Sequence, residues 1–166
     1  MVAWSTQNGQ VALVGGLRSP FVRAGDALRD LHVGDLMSLV MRQVMYEVSW
    51  PASRLDEVIV GNVVMPADAA NLARVAALYA GVPEHVPALT VQRNCASGME
   101  AIAQGASGIQ HGRVQAVLAG GAESMSTIPL LFPSQAIGLM MRLAKAKSAW
   151  QKIGAAAAVR AHHFRP

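Results

Sequence analysis

The residue with the clearest chemical potential is Cys95, in the stretch Gln92-Arg93-Asn94-Cys95-Ala96-Ser97-Gly98. It is the only cysteine among 166 residues, and a lone cysteine is more often a small buried hydrophobic residue than a reactive thiol. Its neighbours change that expectation. Residues 89–92 form an apolar stretch typical of a strand, and residues 99–110 have helical spacing. Cys95 is therefore predicted to lie between a strand end and a helix start.

This position suits a nucleophile that carries an acyl group. Ligand sites in open α/β sheets lie at the carboxyl edge of the strands. The unpaired N–H groups and the dipole of a helix start favour a thiolate over a thiol. Ala96, Ser97 and Gly98 are small, so a bulky thioester has room to approach the sulfur. The pattern predicts nucleophilic acyl transfer with Cys95 as the catalytic residue.

The elements that must position Cys95 alternate between strands and helices. Strands are predicted at residues 11–14, 57–64, 89–92 and 114–119, the first and last ended by Gly15-Gly16 and Gly120-Gly121. One helix is predicted behind an N-cap at Asp35 and closed by Pro51, another over residues 71–79 with a stop at Gly81. This alternation predicts an α/β fold with a mostly parallel, doubly wound sheet.

Basic charge is confined to the last part of the chain. The formal net charge is +4, yet all ten acidic residues lie at or before Glu123 and six basic residues follow it. Residues 134–153 are predicted to form an amphipathic helix, with an apolar face opposite its basic residues. The apolar face comprises Leu139, Leu143, Ala146, Trp150 and Ile153, and the basic residues are Arg142, Lys145 and Lys152.

Three interpretations of this basic helix remain open. It is a solvated face of a packed helix, a surface that attracts an anionic ligand, or a helix that lies on a membrane surface. Nucleic acid is not expected as a partner, because the basic residues are not interleaved with stacking aromatics. The sequence has no apolar run of ~18 residues that would span a membrane and no secretory signal. A single cysteine excludes a disulfide within the chain and fits a reducing compartment, which predicts a cytoplasmic protein.

Four segments, taken together, resemble the thiolase family. The stretch around Cys95 is similar to N-R-x-C-[small]-S-G, with Gln92 where the family usually has Asn. Arg18-Ser19-Pro20-Phe21 resembles R-[ST]-P-[FI], and Val60-Gly61-Asn62-Val63 resembles the G-x-V strand. Gly120-Gly121-Ala122-Glu123-Ser124-Met125-Ser126 resembles G-G-x-E-x-M-S. These segments follow the family's order over residues 11–126.

The resemblance implies a thiolase-like fold, with residues 1–126 as an incomplete N-terminal α/β domain and residues 127–166 as the start of an inserted loop domain on the CoA side. It implies acyl transfer between CoA thioesters through acyl-Cys95, either by thiolytic cleavage of 3-oxoacyl-CoA or by condensation of acetyl-CoA. CoA would be a co-substrate, with no metal and no other cofactor. The complete protein would be a homodimer or homotetramer.

The family's later segments are not found in this sequence. These are the N-E-A-F stretch of the oxyanion site, the G-H-P histidine that activates the nucleophile, and the second cysteine of C-x-G. None of His32, His85, His111, His162 and His163 stands in such a motif. Glu123 is expected to cap or pair locally and not to be catalytic, and the resemblance implies that its segment mainly shapes the site and the subunit contacts. The chain by itself is therefore expected to have little turnover, since a general base is worth ~10²–10⁴-fold in rate. A 3-oxoacyl synthase-like condensing enzyme and a non-catalytic thiolase-like subunit are the alternatives.

Overall fold

The computed structural model describes residues 2–5, 10–129, 133–146, 148 and 150. The elements within this part are β1 (Val2–Ser5), β2 (Val11–Gly15), α1 (Val33–Glu47), β3 (Glu57–Gly61), α2 (Leu72–Tyr79), β4 (Ala88–Val91), α3 (Ser97–Gln110), β5 (Ala116–Gly121) and α4 (Ser134–Lys145). The chain divides into two compact units, Met1–Pro129 with the sheet and α1 to α3, and Leu130–Pro166 with α4. The interpretation of the second unit as the start of a loop domain stays a prediction.

The five strands form one sheet in the order β2-β1-β5-β3-β4. Strands β5, β3 and β4 are parallel, and β1 is antiparallel to both of its neighbours. The predicted α/β fold with a mostly parallel sheet is confirmed, but the count of four strands is wrong because β1 was missed. Its four residues, Val2–Ser5, are too few to show a period that separates a strand from a loop.

Two predicted element boundaries are wrong for local physical reasons. Helix α1 starts at Val33 because His32, not Asp35, is its N-cap, and the His32 Nδ1 accepts the Gly34 N–H at 3.0 Å. Strand β5 does not end before its glycine pair, since Gly120 and Gly121 continue the parallel ladder with β3. The missing side chains leave room for Met37 of α1 at Gly120 and for α3 at Gly121, and they do not end the strand.

Two further segments are shorter than predicted. Strand β3 ends at Gly61, so residues 62–64 are not part of the sheet. The amphipathic helix predicted over residues 134–153 ends at Lys145, because Ala146 has an extended backbone with ψ 115°. Residues 147, 149 and 151–153 lie outside the described residues. On the predicted apolar face, Leu143 and Trp150 are exposed.

Helices cover both faces of the parallel strands, which is why these strands are almost continuously apolar. Successive side chains of a strand point to opposite faces, and β3 divides accordingly. Val58 and Val60 belong to the cluster that packs with α1 and α2, around Met41, Val44 and Leu72. Ile59 belongs to the cluster on the α3 side, with Val117, Ala101 and Ile109.

The backbone of the first turn of α3 lies in close contact with the backbone at the ends of β3 and β5. A Cβ placed on Gly61 would overlap the carbonyl group of Ser97 and lie 2.5 Å from the nitrogen of Gly98. A Cβ on Gly121 would lie 2.9 Å from the Gly98 Cα. Glycines at positions 61 and 121 therefore allow the helix to start directly on the strand ends, and they set the position of the residues just before it.

We expect Gly61→Ala to lower the free energy of unfolding by roughly 1–3 kcal/mol or more, the usual cost of overpacking. The obstructing atoms are backbone, so no rotamer change relieves the overlap. Urea denaturation monitored by circular dichroism measures the effect. The matched control is Gly16→Ala, whose Cβ meets no atom within 4 Å. Equal denaturation midpoints for the two variants would contradict this packing.

Candidate active site

Cys95 lies in the connection between β4 and α3, two residues before the first helical residue, Ser97. The residue is exposed to solvent. Because β4 is one of the parallel strands, this connection is at the carboxyl edge of the sheet, where α/β proteins hold their ligands. The structure thus places Cys95 where its sequence context predicts it, and its role as nucleophile stays a prediction.

Hydrogen bonds close the turn that contains Cys95. Ser97, only 4% exposed, accepts the Arg93 N–H at 2.8 Å through its hydroxyl and donates that hydroxyl to the Asn94 carbonyl at 2.6 Å. The Ala96 N–H donates to the Arg93 carbonyl at 3.0 Å. Asn94 has φ 47°, a left-handed conformation that asparagine tolerates better than most residues. Cys95 therefore lies in a turn whose backbone is bonded on both sides of it.

An ion pair joins this turn to the helix that follows. Arg93 Nη1 is 2.7 Å from Glu100 Oε2, and Glu100 Oε1 accepts a hydrogen bond from Gln104 at 2.9 Å. Glu100 is in the first turn of α3, where a carboxylate is favourable next to the helix N-terminus. The Arg93 side chain is 69% exposed, so solvent screening limits the pair to a contribution of about 1 kcal/mol or less.

Beside this turn, the loop after β3 contains a buried polar residue, Asn62, that is only 1% exposed. Its Nδ2 donates to the Ala122 carbonyl at 2.9 Å and to Glu123 Oε1 at 3.1 Å. The other carboxylate oxygen of Glu123 accepts the Val63 N–H at 2.8 Å. The expectation that Glu123 only caps or pairs locally is wrong, since its partners are about 60 residues away along the chain.

Gln92, the departure from the family pattern, contacts the same loop. Its Nε2 donates to the Val63 carbonyl at 3.1 Å. The backbone of Val63 is thereby bonded on one side by Glu123 and on the other by Gln92. Sequence reasoning did not identify Asn62 and Ser97 as contributors to the site. A signal existed for Asn62, the single polar residue in the apolar stretch 58–64, because a buried polar group needs specific partners.

The described histidines have structural roles or none near Cys95. His32 caps α1 and lies 3.2 Å from Asp68, and the ring of His111 contacts the Ser107 carbonyl at 2.8 Å. His85 is exposed, while His162 and His163 lie outside the described residues. Within the described part of the chain, no three His, Cys, Asp or Glu side chains form a group that would hold a metal ion.

The segment that resembles R-[ST]-P-[FI] lines an open cavity of about 780 Å³. Arg18 and Pro20 form one side of this cavity, and Ala119 and Gly120 of β5 form another. The Arg18 guanidinium lies over the ring of Phe21, 5.4 Å from its centroid. Cys95 is not among the residues that line the cavity, so the cavity is not assigned to the site around the thiol.

Comparison with known proteins gives one family. The sequence model described as "Thiolase, N-terminal domain" matches residues 11–163. A protein of Caenorhabditis elegans, "Probable 3-ketoacyl-CoA thiolase", is 34% identical over 143 residues, which cover 86% of this chain and 32% of that protein. The chain thus spans about a third of the length of that relative.

Solved structures agree with this match. The acetyl-CoA acetyltransferase of Bacillus anthracis superposes with a TM-score of 0.71 at 36% identity, covering 80% of this chain and 31% of that one. A thiolase of Ascaris suum, solved in complex with coenzyme A, gives a TM-score of 0.70 at 32% identity, covering 72% and 31%. The predicted resemblance and the thiolase-like α/β fold are confirmed.

We expect Ser97→Ala to destabilise the turn around Cys95 by about 0.5–1.5 kcal/mol. The Arg93 N–H loses its partner, whereas the Asn94 carbonyl still accepts the backbone N–H of residue 97 at 3.0 Å. Thermal unfolding followed by circular dichroism measures the loss. Ser107→Ala is the matched control on the same helix, since Ser107 is exposed and a surface change is worth within about 0.5 kcal/mol. An unchanged unfolding midpoint for Ser97→Ala would contradict the role assigned to its hydroxyl.

Proposed function

The chain belongs to the thiolase family, and from this premise we propose that the protein transfers acyl groups between CoA thioesters with Cys95 as the nucleophile. The observation that carries the proposal is the placement of Cys95. It is exposed at the carboxyl edge of the sheet, in a turn closed by Ser97. An acyl-carrying thiol needs this combination of access and fixed position.

The reaction would proceed in two steps. In the first, the sulfur of Cys95 attacks a carbonyl carbon, which is the thioester carbonyl of acetyl-CoA or the 3-oxo carbonyl of 3-oxoacyl-CoA. With acetyl-CoA the carbon–sulfur bond breaks and CoA leaves as a thiolate that takes up a proton. With 3-oxoacyl-CoA the C2–C3 bond breaks and the acetyl-CoA carbanion leaves and takes up a proton. In the second, acyl-Cys95 gives its acyl group to CoA or to an acetyl-CoA carbanion, and the thiol is released. The resemblance assigns the base and the oxyanion donors to motifs that this sequence does not contain.

CoA itself is the proposed partner of the basic second unit. Arg142 and Lys145 lie in the last turn of α4, and both are exposed. Basic charge raises the local concentration of an anionic ligand such as the CoA phosphates. We assign CoA as a co-substrate, with no metal or redox cofactor, because thiol and acid–base chemistry balance both steps.

A reducing compartment is the proposed location of the protein. Cys95 must stay reduced to accept an acyl group, and thiols persist in the cytoplasm. No helix among the described residues is long and apolar enough to cross a membrane.

Cys95→Ser is expected to abolish formation of the acyl-enzyme. A serine hydroxyl is a much weaker nucleophile than a cysteine thiol unless a strong base assists it. Mass spectrometry of the intact protein after mixing with acetyl-CoA detects the acetyl adduct, and hydroxylamine should remove it from the wild type as it removes a thioester. Because Cys95 is the only cysteine, an adduct of undiminished yield on the Ser variant would refute the assignment.

We also propose that the protein self-associates, as a homodimer or homotetramer when complete. Strand β4 is an edge of the sheet, and an unpaired edge is a template for association. Large apolar side chains are exposed in the first unit, among them Leu13 at 61% and Met99 at 69%. Contiguous apolar surface beyond a few hundred Å² is unusual for a monomer.

Light scattering on the purified chain is therefore expected to show oligomers or aggregates at micromolar concentration. The apparent mass should fall on dilution if the association is reversible. A chain that remains a monodisperse monomer with a cooperative thermal transition would contradict this prediction.

A further inference from the structure

The contacts between three strand ends give Glu123 a role that its sequence position does not show. We propose that Glu123 is a positioning residue for Cys95 and acts through Val63 and Gln92. The proposal rests on the proposed function in one respect, that Cys95 is the acyl-carrying nucleophile. Glu123 itself does not touch the thiol in this account. It fixes the loop against which the segment leading to Cys95 is held.

The first link joins the end of β5 to the loop after β3. Glu123 Oε2 accepts the Val63 N–H at 2.8 Å, and Oε1 accepts from Asn62 Nδ2 at 3.1 Å. The Val64 N–H is also within 3.3 Å of the carboxylate. A carboxylate is acceptor-only, so it matches a set of donors that a neutral amide does not match. Hydrogen bonds to a charged group are worth about twice those between neutral groups.

The second link joins this loop to the segment before Cys95. Val63, whose N–H is held by Glu123, accepts the Gln92 Nε2 with its carbonyl at 3.1 Å. Gln92 follows β4 directly and precedes Cys95 by three residues. Because β3 lies between β5 and β4 in the sheet, the contacts run across three adjacent strand ends. The carboxylate is on the first of these strand ends and the thiol follows the third.

The loop depends on Glu123 because its last backbone bond to a neighbouring strand is the one from the Asn62 N–H to the Val91 carbonyl, at 3.1 Å. Strand β3 ends at Gly61, and the N–H groups of Val63 and Val64 donate to the Glu123 carboxylate. Removing one acceptor oxygen leaves a donor of this loop unsatisfied, which favours its opening. Gln92 would then bond to a carbonyl that is no longer fixed. The packing of Gly61 on Ser97 is separate from this route and would remain.

The first experiment measures local opening and thiol reactivity without any need for turnover. The variants are Glu123→Gln, which keeps the size of the side chain, and Gln92→Ala, which breaks the second link only. Glu84→Gln is the matched control, since Glu84 is exposed on the connection between α2 and β4. The measurements are amide hydrogen exchange by mass spectrometry and the second-order rate of Cys95 alkylation by iodoacetamide.

Exchange in residues 91–97 should accelerate about tenfold or more in Glu123→Gln, which weakens charge-assisted bonds, and about threefold or more in Gln92→Ala, which loses one neutral bond. The alkylation rate of Cys95 should change at least about threefold, while exchange in α1 and the Glu84→Gln control stay within about twofold of wild type. If Glu123→Gln fails to fold, Gln92→Ala carries the same comparison. Unchanged exchange at residues 91–97 in the folded variants would overturn the proposal.

The second experiment separates positioning from general stability, in the longest natural chain that contains this sequence. Glu123→Gln should lower kcat by about 10–100-fold with a small change in KM, as expected when a reacting group is misplaced by about 1 Å. In the double variant with Gln92→Ala the effects should not multiply, because both changes break one route. Multiplicative losses, or a higher KM with unchanged kcat, would overturn the proposal.

The two proposals fail in different ways. If the longest natural chain that contains this sequence forms no acetyl adduct with acetyl-CoA, the proposed function fails, and the exchange and alkylation results then decide the role of Glu123 by themselves. If the adduct forms at the wild-type rate in Glu123→Gln, the proposed function stands and the positioning role is refuted.

Discussion

The site depends on one steric constraint, the contact of helix backbone with strand backbone at the start of α3. Side chains on both partners usually separate a helix from a sheet, whereas here Gly61 and Gly121 leave the strand ends without side chains at the point of contact. The helix start is thereby fixed with respect to the carboxyl edge of β3 and β5. The turn before the helix, which contains Cys95, is therefore fixed in position as well. A single methyl group at Gly61 would separate the elements that define the site.

Two buried polar side chains lie next to that contact. Burying a polar group costs free energy unless it is hydrogen-bonded, and Asn62 and Ser97 are almost wholly buried. The Asn62 Nδ2 donates to a backbone carbonyl 60 residues away, while its Oδ1 has no partner among the described residues. The Ser97 hydroxyl bonds to the backbone of its own turn. Together with the contacts of Glu123 and Gln92 to Val63, these bonds join the three loops at the strand ends.

The sequence predicts well what is local in this fold. Helix α2, with its N-cap at Asn71 and its stop at Gly81, lies where capping residues and periodicity place it. The order of strand, cysteine and helix around Cys95 is likewise predicted from neighbouring residues alone. The failures concern partners that are distant in the chain. Strand β1 is defined by its neighbours in the sheet, Gly121 by the helix that approaches it, and Glu123 by a loop about 60 residues earlier. No period or local propensity encodes such contacts.

The position of β1 between β2 and β5 has a consequence for the order in which the molecule folds. Val2 pairs with Gly15 on one side and with Leu118 on the other, so this strand needs one nearby and one very distant partner. During synthesis the hairpin of β1 and β2 can form as soon as it leaves the ribosome. The other edge of β1 stays without its native partner until residues 116–121 have left the ribosome. Contacts of such long sequence separation slow folding, and an unpaired strand edge is prone to wrong pairing in the interval. Nascent chains are expected to be most vulnerable to aggregation, and most dependent on chaperones, over this interval.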